Sequence, residues 1–306
     1  MGAGEVILRA LKASALNPDL LYFAMGGVAI GGVLLATVVA RHKGSPDSWF
    51  TRYATRLRST VPALLVMSGV IFVVGLQGNF ERMVQAWHGW DFTWMAYAIE
   101  GNAAERFQDF FRRPWLDGPV VAIYSAGAFL LYQVPFLCLV FLGRGRSAMR
   151  VACTLGLVWA VGIVCYFFVP VYEVWVTASP PYGWTHVTNV YFEVVPEARG
   201  SYNYMTAINN NFPSLHVGAT SAIALSLLLA RERWLGVPAA LVAAGVAFAT
   251  VYLGIHWFVD VAAGFLTAGA AAWLVHRKLP AEETAVRLPL TPGAAPGPSA
   301  PAEEAR

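Results

Sequence analysis

Two histidines and one aspartate stand at the ends of apolar segments, where their spacing could support chemistry on a bound anion. His256 precedes Asp260 by four residues in the stretch HWFVD. Residues four apart share one face of a helix, so the carboxylate could hold one ring nitrogen of His256 and make the other more nucleophilic or basic. Asp260 also lies inside an apolar run, where an ionised carboxylate costs about 2.5–3.5 kcal/mol and normally has a partner. The pair therefore indicates a nucleophile or a general base.

The second histidine, His216, follows the polar stretch NNNFPS, which begins at residue 209. We predict that a helix starts near Pro213–Ser214, because proline is favourable in a first helical turn. The first N–H groups of a helix have no intrahelical acceptors and carry partial positive charge, so they form an anion site. Ser214 adds a hydroxyl, Asn211 stands at the mouth of the same site, and His216 is predicted to face it. A phosphate is the anion that best uses these groups.

Membrane-spanning helices are the elements that must position these residues. The 306-residue chain is 57% hydrophobic and only 13% charged, whereas soluble domains are about 25% charged. The apolar residues fall in blocks of about 20, the length that crosses a bilayer as a helix. We therefore predict one all-α domain, a polytopic membrane helix bundle of about seven spans. The predicted spans are Leu20–Ala40, Thr60–Leu76, Pro119–Leu142, Met149–Val171, Pro213–Ala230, Leu235–Gly254 and Trp257–Val275.

Lysine and arginine in the short loops predict the orientation of the bundle, because cytoplasmic loops are rich in both. These residues concentrate in segments 41–59, 143–150, 231–233 and 276–278. The N-terminus is therefore predicted to be outside and the C-terminus cytoplasmic, with the first apolar block retained as an anchor. We expect a multi-pass protein of the cell membrane, with both histidine segments on its extracytoplasmic face.

The two histidine segments resemble motifs of the type-2 phosphatidic acid phosphatase superfamily, and in particular of its inositol phosphorylceramide synthase branch. FPSLHVG is similar to the second motif of that branch, where other members have Pro-Ser-Gly-His, and HWFVDVAAG is similar to its third motif. The resemblance covers about 119–275. It implies that His256 attacks phosphorus to form a phosphohistidine, that Asp260 orients His256, and that His216 is the general acid and then the base. It implies no metal or other cofactor.

Two departures from the family pattern concern positive charge, which a phosphoryl-transfer site needs against the equatorial oxygens. Thr250 occupies the position, six residues before His256, where the third motif usually has arginine. The first motif has a letter match in RFQDFFRRP, which ends at Pro114, but its expected place in the fold reads FFVPVYEVW, without lysine or arginine. Arg199 in the outer loop is the best substitute, and Arg112 and Arg113 come second. The predicted substrate-binding residues are Ser214, Asn211, Arg199, Thr250 and Arg113.

The resemblance and the apolar blocks together predict four regions. Residues 1–76 form a two-span region, 77–118 an outer loop, 119–278 a phosphatase-like catalytic bundle and 279–306 a disordered tail rich in proline, alanine and glycine. Within the outer loop, ERFQDFFRRPWL at 105–116 spaces four aromatic residues helically among arginines. This pattern fits a helix in the membrane interface, or equally an amphipathic helix packed on the bundle.

The predicted function is that of a membrane lipid-phosphate phosphatase or phosphotransferase, whose substrate is a lipid phosphate or phospholipid. The sequence leaves open whether water or an alcohol receives the phosphoryl group. Because the motif arginines are missing, a non-catalytic lipid-phosphate binding or transport protein is the alternative. Nucleic-acid binding is not predicted, since the net charge is only +3 and no basic cluster is interleaved with aromatic residues. The oligomeric state is not predicted.

Overall fold

The computed structural model describes residues 49–199 and 208–279, and every regular element in these ranges is helical. Extended segments pair there in one isolated bridge, between Val171 and Asn210. The all-α prediction is therefore confirmed for this part of the chain. The predicted first span, Leu20–Ala40, and the predicted tail from residue 280 onward lie outside the described residues.

We number the helices of the described ranges in chain order. Helix α5 includes one π-helical turn at Ile123–Gly127, and a 3-10 turn at Val174–Ala178 follows α6. The helices are α1 (Trp49–Arg58), α2 (Val61–His88), α3 (Thr93–Glu100), α4 (Ala103–Phe111), α5 (Pro114–Phe141), α6 (Gly145–Phe168), α7 (Val190–Val194), α8 (Leu215–Leu229), α9 (Arg233–Tyr252) and α10 (Phe258–Lys278).

The described residues supply four or five candidate membrane spans of the seven that were predicted. Helices α5, α6, α9 and α10 are long and apolar enough to cross a membrane, and α1 with α2 would add a fifth span as a bent pair. Helix α8 is apolar but has only 15 residues, or about 22 Å at 1.5 Å per residue. It is shorter than the bilayer core of about 30 Å. The polar residues before α8 must therefore be surrounded by other parts of the protein and not by lipid.

Helix α8 lies at the centre of the bundle. Of its 15 residues, 11 are buried, as expected for a helix that is apolar on every side. Its middle part packs in the main core with residues of α2, α5, α6 and α9, and its start packs with α6 and α10. The residues before α8 are therefore placed by several helices at once.

Small residues bring the starts of α8 and α10 into backbone contact. The N–H of Ser214 donates to the carbonyl oxygen of Asp260 at 3.0 Å. A Cβ atom on Gly264 would lie 2.6 Å from the carbonyl oxygen of Ser214, and one on Gly218 would lie 3.5 Å from the carbonyl oxygen of Gly264. The two predicted motif segments can approach this closely because these positions carry no side chain.

The corner between α9 and α10 is fixed by its backbone. Both Ile255 and His256 donate their N–H groups to the carbonyl oxygen of Thr250, each at 3.1 Å. Gly254 has a φ of +76°, and a Cβ there would lie 2.5 Å from the carbonyl oxygen of Thr188. A glycine is needed at this position both for its conformation and for its packing. The corner therefore holds His256 in one place.

Several predicted boundaries are corrected by local backbone chemistry. The helix predicted at 105–116 ends at Phe111, and α5 begins at Pro114, because proline cannot continue a helix and keeps the residue before it extended. Helix α2 continues to His88, so the segment that was predicted as an outer loop begins at residue 89. Helix α8 begins at Leu215, and Pro213 therefore lies before the N-cap and not in the first turn.

Helices α3 and α4 combine buried anchors with exposed apolar side chains. Phe110 on α4 and Trp115 at the start of α5 are 70% and 74% exposed, whereas Phe107 packs against the rings of Phe248 and Phe258. On α3, the exposed face carries Trp94 and other apolar residues. Both interpretations of segment 105–116 thus have support, because α4 packs on the bundle and also presents apolar surface suited to a membrane interface.

The contact between α8 and α10 predicts opposite effects of two alanine substitutions on the same helix. Gly264→Ala should destabilise the protein by roughly 1–3 kcal/mol, because the added Cβ must separate the two helices. Gly269→Ala is the matched control: a Cβ there meets nothing within 4 Å, and alanine is the better helix former by about 1 kcal/mol. Thermal unfolding in detergent measures both variants, and equal unfolding temperatures would contradict the close approach.

Candidate active site

His256 and Asp260 meet in the structure as a buried pair. Nδ1 of His256 lies 3.5 Å from Oδ2 of Asp260, and the two side chains are 3% and 0% exposed. His256 belongs to the corner before α10, and Asp260 is the third residue of that helix. The two residues are therefore neighbours across the start of the helix, whereas the sequence placed them on one helical face. Nε2 of His256 is the ring nitrogen directed away from the carboxylate.

The Asp260 carboxylate is held by donors from two segments. Its Oδ2 accepts hydrogen bonds from the Asn211 side-chain amide at 2.9 Å and from the Trp257 N–H at 3.0 Å. The same amide nitrogen of Asn211 donates to the carbonyl oxygen of Ile255 at 2.9 Å. An amide nitrogen carries two hydrogens, so that of Asn211 has none left for a phosphate. Asn211, predicted to bind substrate, lies where it fixes the carboxylate.

His216 faces His256 from the first turn of α8. The ring centroids are 5.9 Å apart and the ring planes are inclined by 61°. The ring centroid of Tyr124 lies 4.6 Å from that of His216, with the ring planes inclined by 31°. Tyr124 belongs to the π-helical turn of α5, a feature found often at functional sites. Tyr124 could not be predicted as a site residue, because nothing in the sequence signals a π-helical turn.

Ser214 is the N-cap residue of α8. Its Oγ accepts a hydrogen bond from the N–H of Val217 at 3.3 Å, and the side chain is fully buried. A hydroxyl that accepts one bond can still donate its own hydrogen. The N–H groups of Leu215 and His216 lie in the first turn of α8, where the helix itself offers them no carbonyl acceptor. The start of α8 therefore presents the donors that a phosphoryl group requires.

The remaining predicted substrate-binding residues make contacts with groups other than the two imidazoles. The hydroxyl of Thr250 donates to the carbonyl oxygen of Ala247 at 2.8 Å within α9, and the Thr250 carbonyl oxygen is the acceptor at the corner. The guanidinium of Arg199 lies 5.5 Å from the ring centroid of Phe192. The guanidinium of Arg113 donates to the carbonyl oxygen of Arg112 at 2.5 Å. Within residues 49–199 and 208–279, none of these contacts reaches an imidazole.

Arg112, the other candidate cation, belongs to a polar network beside α7. It donates to the hydroxyl of Thr188 at 2.7 Å and forms an ion pair with Glu193. A second carboxylate, that of Asp117, lies 3.6 Å away. The charge of Arg112 is therefore already neutralised by carboxylates.

Glu100 is a further ionisable group at the start of α10, and the sequence analysis did not identify it. Its Oε2 accepts the N–H of Val259 at 2.9 Å. Burial raises the pKa of Glu100 to about 7, backbone hydrogen bonds from Val259 and Phe258 oppose this rise, and the charge of Asp260 adds to it. Glu100 is thus a carboxyl group that lies next to the His256–Asp260 pair.

The environment of His256 favours its neutral form. Burial lowers the pKa of His256 to about 3, although a hydrogen bond with the backbone of Asn211 opposes the change. A neutral imidazole has a lone pair on one nitrogen, which is what a nucleophile or base requires. Within the described part of the chain, no cluster of three or more histidine, cysteine or acidic side chains could hold a metal ion.

Comparison with known proteins gives one match. A family model described as the PAP2 superfamily matches residues 98–274, which is more than half of the chain. The matched region runs from the end of α3 into α10 and contains His216, His256 and Asp260. No curated protein and no solved structure matches the chain.

The double hydrogen bond of Asn211 predicts a loss of stability when its amide is removed. Asn211→Leu keeps the size of the side chain but removes one of the two donors to Asp260 and one of the two donors to the Ile255 carbonyl oxygen, at a cost of roughly 1–3 kcal/mol. Asn102→Leu is the control, because Asn102 is the N-cap residue of α4 and makes no side-chain capping bond. Thermal unfolding in detergent should separate the two variants, and an unchanged Asn211→Leu protein would refute the bonding scheme.

The raised pKa of Glu100 predicts how stability depends on pH. A carboxyl whose pKa rises from 4.5 to about 7 on folding binds more protons in the folded state than in the unfolded state. Its contribution to stability is complete below pH 4.5 and is lost as the pH rises through 7. Between pH 5 and pH 8 the unfolding temperature of the wild type should therefore fall by roughly 2–4 °C more than that of Glu100→Gln. Parallel pH curves would show that Glu100 titrates normally.

Proposed function

The chain belongs to the PAP2 superfamily, and we propose that it is a membrane enzyme that acts on a lipid phosphate ester through a phosphohistidine. Hydrolysis to a free lipid and transfer to an alcohol both follow from the same first step. The observation that carries the proposal is the meeting of two imidazoles, 5.9 Å apart, with a carboxylate at Nδ1 of one of them. Such a set can place a nucleophile and an acid around one phosphorus atom.

In the first step, Nε2 of His256 attacks phosphorus and a P–N bond forms while the ester P–O bond breaks. His216 donates a proton to the departing alkoxide, so the lipid leaves as an alcohol. His256 acquires positive charge as it is phosphorylated, and Asp260 stabilises that charge through Nδ1. Because Asn211 and Trp257 hold Asp260 in place, the carboxylate needs little reorganisation during the reaction.

In the second step, His216 removes a proton from water or from an acceptor alcohol, whose oxygen attacks phosphorus. The P–N bond breaks and the electron pair returns to His256, so both histidines regain their starting forms. The hydroxyl of Ser214 and the N–H groups at the start of α8 bind the phosphoryl oxygens in both steps. Arg199 or Arg113 would have to leave its present contacts to add positive charge, and we keep both as candidates.

The proposed location is a cell membrane, with the site facing the extracytoplasmic side and about seven spans in the whole chain. The distribution of charge along the bundle supports this orientation. Basic residues concentrate at the end of the bundle opposite His256, where Arg144 pairs with Glu232 and Arg150 donates to the carbonyl oxygen of Leu279 at 2.7 Å. An excess of arginine at one end is typical of the cytoplasmic side.

One observation favours the second candidate, a protein that binds or transports lipid phosphates without turnover. The guanidinium groups of Arg112, Arg113 and Arg199 contact Glu193, the carbonyl oxygen of Arg112 and the ring of Phe192 respectively, and none of these contacts is with an imidazole. A family member that had lost its motif cations could retain affinity through the start of α8 and lose catalysis. The two candidates differ in whether a covalent phosphoenzyme forms.

The proposed mechanism predicts different defects for the two histidines. In purified protein supplied with a short-chain phosphatidic acid, His256→Ala should lower phosphate release or phosphoryl transfer by at least about 1,000-fold, because no nucleophile remains. The control is His276→Ala, since His276 lies at the other end of the bundle beside Ser226. Wild-type activity in His256→Ala would exclude the nucleophile.

A substrate with a good leaving group separates the two steps. A p-nitrophenyl phosphate ester needs no acid to release p-nitrophenolate, so His216→Ala should complete the first step and stall in the second. An acid-labile phosphorylated protein should then accumulate in His216→Ala and be absent in His256→Ala. Binding of phosphatidic acid without any phosphoenzyme would favour the non-catalytic candidate.

A further inference from the structure

The N-cap residue of α10 offers the first turn of the helix no side-chain acceptor. Its N-cap residue is Trp257, and an indole donates but cannot accept a hydrogen bond. The indole N–H is in fact used elsewhere, because it donates to the carbonyl oxygen of Tyr172 at 2.9 Å. Asp260 accepts the N–H of Trp257 itself. The next N–H groups of the helix therefore need an acceptor from another part of the chain.

Glu100 supplies that acceptor from the last residue of α3. Its Oε2 receives the N–H of Val259, the residue immediately before Asp260, at 2.9 Å. The other oxygen, Oε1, is buried and has no hydrogen-bond partner among the described residues. The Glu100 carboxylate therefore contacts the start of α10 through Oε2, and its Oε1 is shielded from solvent.

Helix α3 is held firmly enough to act as the support for this contact. On its buried face, Ala96 lies in the apolar cluster that contains Trp257. The ring of Tyr97 also meets Trp257 edge to face, with centroids 6.4 Å apart. Glu100 thus reaches α10 from a helix that already packs against the first residues of α10.

The first turn of α10 determines where two parts of the site lie. The side chain of Asp260 meets His256, and its carbonyl oxygen receives the N–H of Ser214. A change in the direction of this turn would move the carboxylate and the start of α8 together. Displacements of about 1 Å at a catalytic group can cost roughly 100-fold in rate.

We infer that Glu100 is a positioning residue for the proposed reaction, because its carboxylate caps the first turn of α10 from α3 and so holds Asp260 against His256. The inference rests on the proposed function. Glu100 does not contact the phosphoryl group in this scheme. Its removal should therefore lower kcat and leave KM nearly unchanged.

Three variants test the inference. Glu100→Ala removes the acceptor, and Glu100→Gln keeps an acceptor oxygen without the charge. As a control, Asp91→Ala removes a carboxylate that accepts the N–H of Thr93 at the other end of α3, away from α10. With a short-chain phosphatidic acid, kcat of Glu100→Ala should fall by roughly 10- to 100-fold, and Glu100→Gln should stay within about threefold of the wild type. Asp91→Ala should also stay within about threefold. If Glu100→Ala does not fold, Glu100→Asp, which shortens the side chain, takes its place.

Several results would overturn the inference. These are an unchanged kcat in Glu100→Ala, an equal loss in Asp91→Ala, or a failure of Glu100→Gln to restore kcat. Hydrogen exchange over residues 256–265 tests the cap without any substrate, and amide exchange there should accelerate in Glu100→Ala and not in Asp91→Ala. Turnover absent from the wild type would refute the proposed function, whereas unchanged exchange in Glu100→Ala would refute the cap alone.

Discussion

The burial of the Asp260 carboxylate is the constraint on which the rest of the structure depends. A carboxylate removed from water must find donors or a positive partner, since an unpaired one is too costly to bury. Its donors come from Asn211 before α8 and from Trp257 before α10, and His256 lies 3.5 Å away. These segments can converge only because Gly264 allows α8 and α10 into backbone contact. The close packing of α8 against α10 is therefore needed to bring the donors to the Asp260 carboxylate.

The long helices could be predicted from the sequence because apolar blocks of bilayer length have few other uses. Each of the six predicted spans within the described residues overlaps one helix, namely α2, α5, α6, α8, α9 or α10. The errors occur at boundaries, where a single residue decides the result. Pro114 ends the preceding extended segment and starts α5, and Ser214 caps α8, which leaves Pro213 outside the helix. Such effects depend on which backbone groups find partners, and an apolar pattern does not contain that information.

Some residues of the candidate site could likewise be predicted from the sequence, and others could not. His216, His256 and Asp260 could be selected from the sequence, because polar groups within apolar runs are rare and need a reason. The positions of Tyr124 and Glu100 could not, since each depends on a contact between distant parts of the chain. Asn211 is polar and precedes the predicted helix start, but both hydrogens of its amide are taken by neighbouring oxygens, which the sequence does not show. Residue type indicated where chemistry could occur, and packing decided which atoms remain available for it.

The starts of α8 and α10 differ in the charge of the groups that cap them. Both are sources of positive potential, since the first N–H groups of a helix have no partners within it. At α10 the protein fills this position with its own carboxylates, those of Asp260 and Glu100. At α8 the cap is the neutral hydroxyl of Ser214, so the potential there is not cancelled by an acidic cap. An anion that enters between the two helices would therefore be attracted to α8 and repelled from α10. In the proposed reaction, the phosphorus of such an anion would lie beside His216, and the carboxylate of Asp260 at Nδ1 of His256 would stabilise positive charge on that ring.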